Sequence, residues 1–268
     1  YKIKDTATIL AANDSFLEGQ TVIINDSSTA ATTSELNTIQ AGIEANNAQG
    51  GGVTYTKLTG TATSLAANTA DIIAGVAVTI DESGNNTPAS TTEINSLQTA
   101  VSNAGNGASL TYTKVRDGQQ NLRANTGDLE GKTVTVSDSS SASEYATLIS
   151  AVTANNAQGT VAGAVSDTAA ALATTENVTL TGATSVTAVI STANDLVSVQ
   201  LDTEVTAIDI GTNSVTNVLL DIEDLKNGNN ANRTISNTGG GGSYKIKDTA
   251  TILAANDSFL EGQTVIIN

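Results

Sequence analysis

Apolar and polar positions along the chain follow two alternating periods. Runs rich in Val, Ile and Thr alternate apolar with polar residues, as half-buried strands do. They recur as TVIIND (21–26), VAVTID (76–81), TVTVSD (133–138) and NVTLTG (177–182). After each of the first three, apolar residues recur at spacings of three and four, which indicates one apolar helix face. Those residues are Leu36, Ile39 and Ile43, then Ile94, Leu97 and Val101, then Leu148, Ile149 and Val152.

A shorter helical stretch precedes each strand run. These stretches are TATILAAND (6–14), TATSLAANT (61–69), QQNLRANTG (119–127) and TAAALATTE (168–176). The tetrapeptide TYTK, which indicates a further strand, occurs at 54–57 and again at 111–114. The pattern therefore predicts a strand–helix–strand–helix repeat of about 50–57 residues, close to the range of known repeat architectures. Its copies are placed at 1–52, 53–109, 110–160, 161–205 and 206–243.

The last two copies are less regular. Their pattern predicts strands near 164–166, 177–181, 197–201 and 206–210, and a short strand over Arg233–Ser236. It also predicts a helix from Ser214 to Lys226, because the apolar residues of that stretch fall on one helical face.

A longer period lies above the short one. Residues 1–25 recur unchanged as residues 244–268, a period of 243 residues. The segment Gly239–Ser243, GGGGS, is either a linker behind an engineered duplication or part of a natural repeat. The second interpretation is favoured by NNAQGGGVTYTKL (46–58) and NAGNGASLTYTKV (103–115), which also run from a helix end through glycines into a strand.

Alternating strands and helices of this length predict parallel strands joined by right-handed crossovers. An array of similar units stacks into an open solenoid. The predicted fold is therefore an α/β, right-handed β-α-β-α solenoid, a twisted or corkscrew-like rod with parallel strands and helices packed outside. Two strand–helix steps are expected per turn, which would give two β layers. A horseshoe with one strand and one helix per turn is the alternative, although its LxxLxLxxN signature is absent.

The amino-acid composition argues against several classes of function. The 268 residues include no Cys, His, Trp or Met, and 27 acidic against 11 basic residues give a net charge of −16. Nucleic acid and anionic membranes would be repelled, and no apolar run approaches the roughly 20 residues of a membrane span. Without His or Cys, the commonest general bases and thiol nucleophiles are missing. We therefore expect no enzyme, no required cofactor, no nucleic acid partner and no membrane insertion.

Acidic residues recur where predicted strands end, at Asp5, Asp26, Asp81, Asp138 and Asp167. One interpretation is capping of helix N-termini by these carboxylates. The other is calcium bound along the edge of the solenoid. The calcium candidates are Asp26, Asp81, Glu82, Asn85 and Asp138, and the loop DESGNN (81–86) is the best single one. That loop lacks the spacing of an EF-hand and of the calcium-binding nonapeptide.

Tyrosines occupy equivalent positions in the predicted strands, at Tyr55 and Tyr112, with Tyr1 nearly equivalent. Aromatic side chains at such positions pack in a core or on a sheet face. The alternative is an exposed strip that stacks against sugars, which would make surface polysaccharide a partner.

The fragment SDTAAALATT (166–175) and the identical repetition after 243 residues resemble arrays in giant bacterial cell-surface proteins. These include the very large repetitive surface proteins of marine cyanobacteria, some of them tied to swimming without flagella. The resemblance implies an extracellular filament or spacer at the cell surface, used in motility or attachment, with neighbouring copies of the repeat as partners. No functional residue carries over. The alternatives are an adhesin-type module that binds glycan or protein, and an engineered self-assembling solenoid with a duplicated terminal segment.

Overall fold

The computed structural model describes residues 1–48, 50–84, 87–174, 180–190, 193–199, 203–209, 218–226, 228–236, 244–261 and 264–267. The chain divides into two compact units, Tyr1–Arg116 and Asp117–Asn268. The predicted glycine segment 239–243 and the candidate ligand Asn85 lie outside the described residues.

Strands and helices alternate through the first unit as the apolar pattern predicts. Its elements are β1 (Lys2–Asp5), α1 (Ala7–Ala12), β2 (Thr21–Ile24), β3 (Ala31–Thr32), α2 (Thr33–Ile43), β4 (Gly52–Thr54), β5 (Lys57–Gly60), α3 (Ala62–Ala67), β6 (Ala77–Ile80), α4 (Thr91–Ala104) and β7 (Ser109–Thr111). The strand β8 (Lys114–Asp117) spans the boundary between the units.

The second unit continues the alternation. Its elements are α5 (Gln119–Ala124), β9 (Thr133–Ser140), α6 (Ala142–Val152), β10 (Thr160–Thr168), α7 (Ala169–Thr174), β11 (Ala183–Val189), α8 (Ala193–Ser198), β12 (Ala207–Asp209), β13 (Val218–Leu220), α9 (Ile222–Lys226), β14 (Thr234–Ser236), β15 (Tyr244–Asp248), α10 (Ala250–Ala254) and β16 (Val265–Ile267).

Hydrogen-bonded strands run parallel, and one α-helix separates the two members of each pair along the chain. In the first unit β1 pairs with β2 and β2 with β4, while β3, β5, β6 and β7 form a second ladder. In the second unit β9, β10, β11, β12 and β14 pair in that order. Parallel neighbours need a crossover connection, which the intervening helices supply. The chain is therefore a mixed α/β protein with parallel sheets, as predicted.

The expectation of two β layers per turn was wrong. In such a turn, two helices would separate a strand from its hydrogen-bonded neighbour along the chain. Instead β5 pairs with β6, and β6 with β7, each across a single helix. Hydrogen-bonded strands are thus one strand–helix step apart. Each helix, short or long, brings the chain back beside the strand that precedes it.

Buried apolar side chains of strands and helices form the core. Several strands bury alternate residues, for example Val22 and Ile24 in β2 and Val78 and Ile80 in β6. Each long helix buries its predicted apolar stripe, except that Val101 and Ile149 are half-buried. The buried set consists mostly of Ala, Val, Ile and Leu, so the packing between layers depends on many small contacts.

The less regular half of the chain departs from the prediction in three places. Residues 180–182 are not a strand, residues 193–198 are helical where a strand was predicted over 197–201, and residues 218–220 form β13 where a helix was predicted from 214. Residues 177–179, 200–201 and 214–217 lie outside the described residues. Short apolar runs fit either period, so pairing with distant strands decided the outcome. The strand predicted at 164–166 is confirmed as part of β10, and those predicted at 206–210 and 233–236 are confirmed over 207–209 (β12) and 234–236 (β14).

Gly159, which leads from α6 into β10, has no room for a side chain. A Cβ placed there would lie 2.4 Å from the carbonyl oxygen of Val152 and 2.6 Å from its Cβ. We expect Gly159→Ala to lower the free energy of unfolding by about 2–3 kcal/mol through overpacking. Chemical denaturation measures this loss in the free energy of unfolding. Gly127→Ala is the control, since a Cβ there meets nothing within 4 Å; equal losses in both variants would contradict this explanation.

Within the ranges that the structure describes, no helix has both the length and the apolar character needed to cross a bilayer.

Candidate functional site

The strand predicted over the TYTK segment is interrupted, because β4 ends and β5 begins within it. A carboxylate binds the backbone at this interruption. The side chain of Asp26, just after β2, accepts hydrogen bonds from the backbone N–H of Thr56 at 2.5 Å and of Lys57 at 2.7 Å. Its other oxygen accepts the hydroxyl of Thr56 at 2.9 Å. These N–H groups lie where the ladder is interrupted, so the Asp26 side chain replaces strand pairing there.

Asp26 is almost fully buried. Burial raises the pKa of its carboxyl group, but the hydrogen bonds from Thr56 and Lys57 outweigh burial and leave that pKa below its ordinary value of 3.8. The group is therefore charged at neutral pH.

The same arrangement returns in the next copy. Glu82 follows β6 and accepts hydrogen bonds from the backbone N–H of Thr113 at 2.9 Å and of Lys114 at 2.7 Å. It also accepts the hydroxyl of Thr113. The ammonium group of Lys114 donates in turn to the carbonyl oxygen of Glu82 at 3.2 Å. The TYTK motif therefore identifies the segment whose backbone N–H groups bind an acidic side chain, and that acid follows a strand of an earlier step.

Asp138 stands at the corresponding position of the third copy but has a different partner. In this copy β9 runs from Thr133 to Ser140 as one strand, and it pairs with β10 on both sides of Asp138. The Asp138 carboxylate accepts instead the backbone N–H of Gln119 at the start of α5, at 2.7 Å. Where the strand does not break, the acid at this position serves a helix N-terminus, which favours negative charge.

A second set of carboxylates joins each long helix to the short helix before it. Glu35, Glu93 and Glu144 each close a capping box with Thr32, Ser90 or Ser141 at the start of α2, α4 or α6. The second oxygen of Glu35 accepts the hydroxyl of Thr8 at 2.6 Å, and that of Glu93 accepts the hydroxyl of Thr63 at 2.7 Å. Glu144 pairs with Arg123 instead.

The pKa values of two of these capping carboxylates, Glu35 and Glu144, are lowered. The backbone N–H of Ser141 lowers the pKa of Glu144 most, and together with the Ser141 hydroxyl and Arg123 it outweighs burial, which raises that pKa. For Glu35, burial raises the pKa, but the bonds from Thr8 and Thr32 outweigh it and the pKa is lowered. We call Asp26, Glu35, Glu82, Glu93 and Glu144 the carboxylate ties, since each joins one strand–helix step to a neighbouring one.

Among the aspartates at strand ends, Asp5, Asp138 and Asp167 accept N–H groups at helix starts, whereas Asp26 binds the backbone between β4 and β5. Asp167 accepts the N–H of Thr168 at 2.8 Å and that of Ala142, the first residue of α6, at 3.0 Å. Asp5 accepts the N–H of Thr6 at 2.8 Å. The capping interpretation is therefore confirmed for Asp5, Asp138 and Asp167.

The four calcium candidates that the structure describes, Asp26, Asp81, Glu82 and Asp138, do not form one cluster. Asp81 accepts the N–H and the hydroxyl of Ser83 within its own turn. Asp26, Glu82 and Asp138 accept backbone N–H groups in three successive copies. Over the described part of the chain, no group of three or more acidic residues could hold a metal ion. Calcium binding therefore stays a prediction, and one of its candidate ligands, Asn85, lies outside the described residues.

Tyr55 and Tyr112 lie in the core, as the packing interpretation expects. The Tyr55 hydroxyl donates to the carbonyl oxygen of Asp71, and burial, with the charge of Asp71, raises the pKa of Tyr55 to about 12. Neither ring is available to stack on a sugar. Tyr145, which sequence analysis did not single out, is fully buried and donates to the carbonyl oxygen of Val161 at 2.9 Å.

A shallow polar depression of about 370 Å³ lies beside α4, lined by Thr69, Asn95, Ser96, Thr99, Ala100 and Asn103. Its lining carries no charged side chain, so it has no general acid or base.

Each carboxylate tie accepts hydrogen bonds that connect one strand–helix step to another. A scan against protein-family models finds no match for the chain, and neither curated proteins nor solved structures match it.

Proposed function

We propose that this chain is a structural repeat of a giant extracellular surface protein. Its strand–helix steps stack as a right-handed solenoid, and tandem copies form a stiff acidic filament or spacer used in motility or attachment. The observation that carries the proposal is the repetition itself. An identical 25-residue segment returns after 243 residues, and it forms the same strand–helix–strand element in the same register at both places.

The carboxylate ties support this function. Each reaches a partner that lies well ahead of it or behind it in the sequence and belongs to a neighbouring step. Stability in such an array comes from contacts between neighbours, so steps can be added without limit. A large negative charge keeps a long array soluble and prevents its copies from collapsing on one another.

Small-angle X-ray scattering of the chain, with and without calcium, tests the proposal. A compact chain of this length has a radius of gyration of about 18 Å. We expect a clearly larger value and a scattering profile of a rod. We also expect no change with calcium, since the oxygens of Asp26 and Glu82 already accept N–H donors.

A radius near the compact value would contradict the proposal. Stiffening on addition of calcium, together with a rise in melting temperature, would instead show a filament whose rigidity is set by calcium.

A further inference from the structure

The structure contains one 25-residue sequence in two surroundings, at residues 1–25 and at residues 244–268. Both copies form a parallel strand pair across a short helix. The register is the same, with Ile3 opposite Val22 in the first copy and Ile246 opposite Val265 in the second. Because the two sequences are identical, differences in exposure between them report only what packs against each copy.

The second copy has a neighbour at the outer edge of its first strand. Strand β13 pairs with β15 there, with Val218 opposite Tyr244 and Leu220 opposite Ile246. The backbone N–H of Ile222, at the start of α9, donates to the carboxylate of Asp248 at 3.3 Å. The ammonium group of Lys226, at the end of α9, donates to the side-chain oxygen of Asn256 at 2.6 Å.

The first copy shows the same groups without that neighbour. Strand β1 is the end strand of its sheet, and no strand of the described residues pairs with its outer edge. Asp5 bonds the N–H of Thr6 at 2.8 Å, as Asp248 bonds that of Thr249. Asn13 donates to the carbonyl oxygen of Ile9 at 2.8 Å, as Asn256 donates to that of Ile252.

The exposed fraction of the side chains differs between the two copies according to whether a strand pairs with each edge. Ile246 is 1% exposed, whereas Ile3 is half-buried, and Asp248 is buried, whereas Asp5 is half-buried. The opposite edge shows the complementary difference. Val265 and Ile267 are 41% and 67% exposed, but their counterparts Val22 and Ile24 are buried in β2, whose outer edge pairs with β4. Unpaired parallel edges of this kind readily accept another strand.

We propose that the outer edge of β1, with Asp5 and Asn13, is a docking surface for residues 218–226 of another copy of this chain. The incoming segment takes the position that residues 218–226 hold against residues 244–256 within this molecule. This inference rests on the proposed function, since it supplies the contact between consecutive 243-residue periods. Between separate molecules, residues 1–25 of one chain replace residues 244–268 of another. Such a head-to-tail contact is heterologous, and it yields an open filament wherever its rotation does not close a ring.

Disulfide trapping between two full-length variants tests the proposal. The chain has no Cys, so each introduced thiol is unique. Val218→Cys chains are mixed with Tyr1→Cys chains under mild oxidation, because paired residues of adjacent strands lie within the reach of a disulfide. The matched control replaces Tyr1→Cys by Ser15→Cys, which is also exposed on the first copy. Mass spectrometry of the linked peptides identifies each bond.

We expect the bond between positions 218 and 1 to form at least about tenfold faster than the bond between positions 218 and 15, because docking raises the local concentration of the first pair. Equal rates would overturn the proposal. In the chain that carries Val218→Cys, Asp248→Ala should raise the rate, since its own residues 244–268 then compete less. In the other chain, Asp5→Ala should lower it.

Indifference of the rate to both substitutions would also overturn the proposal. Scattering from the monomer separates the two hypotheses. An extended monomer without preferential trapping would retain the structural function and remove this docking surface. A compact monomer that is trapped preferentially would retain the docking surface and remove the extended solenoid.

Discussion

Asp26→Ala is expected to lower the free energy of unfolding by about 3 kcal/mol at neutral pH. The substitution removes three hydrogen bonds and leaves the backbone N–H groups of Thr56 and Lys57 without their acceptor. Bonds to a charged acceptor contribute about 1.5–3 kcal/mol each, but both donors lie in exposed residues and can be partly satisfied by water. Urea denaturation gives the loss, and hydrogen exchange at Thr56 and Lys57 shows whether it is local.

Glu82→Ala is the matched control, because Glu82 makes the same set of bonds from a more exposed position. We expect it to cost about 1 kcal/mol. Equal costs would show that burial of the acid does not determine the strength of the tie. A loss below about 1 kcal/mol in Asp26→Ala would show that the break between β4 and β5 is held by other contacts.

Comparing the stability of the wild type and Asp26→Ala as a function of pH tests whether the charged form of Asp26 accepts these hydrogen bonds. The folded-state pKa of Asp26 lies below its ordinary value of 3.8. Its contribution is therefore complete above that value and is lost as the pH falls through the folded-state pKa. The difference in stability between the wild type and Asp26→Ala should shrink at pH about 2. A difference that stays constant with pH would contradict the assignment.

The regular half of the chain shows how far periodicity predicts the fold. In residues 1–160 the alternation of strands and helices is the predicted one, because the same pattern occurs in three copies. After residue 160 the copies diverge, and the run Val218–Leu220 fits a strand or a helix equally well. Its partner β15 begins only at Tyr244, beyond α9 and β14, and such long-range pairing leaves no local pattern.

The acids were recognised as recurrent, but their role could be predicted only in part. Asp5 accepts the N–H of the next residue, which a local pattern can indicate, whereas Asp138 and Asp167 reach back to the starts of α5 and α6, which no local pattern shows. Asp26 and Glu82 bond residues in a later strand–helix step. The signal for them was the TYTK motif, which follows each acid at nearly the same distance. Glu35, Glu93 and Glu144 could have been found from the spacing of Ser or Thr three residues before Glu.

Leu65→Ala should lower the stability of the first unit by about 3 kcal/mol and leave the second unit largely unchanged. Leu65 is fully buried on α3, and truncating such a side chain removes its transfer free energy and leaves a cavity. In a ladder of neighbouring steps, the loss is greatest in the step that is altered. Hydrogen exchange should therefore show the largest loss of protection between β5 and β6, and little loss beyond Asp117.

Leu172→Ala provides the mirror experiment, because Leu172 is fully buried at the equivalent position of α7 in the second unit. It should reduce protection around β10 and β11 and spare residues before Arg116. The pair separates local from global stability without reference to absolute free energies. If either variant lowered protection evenly from Tyr1 to Ile267, the chain would unfold as one cooperative body, and its steps could not be the independent, extendable units that a tandem filament requires.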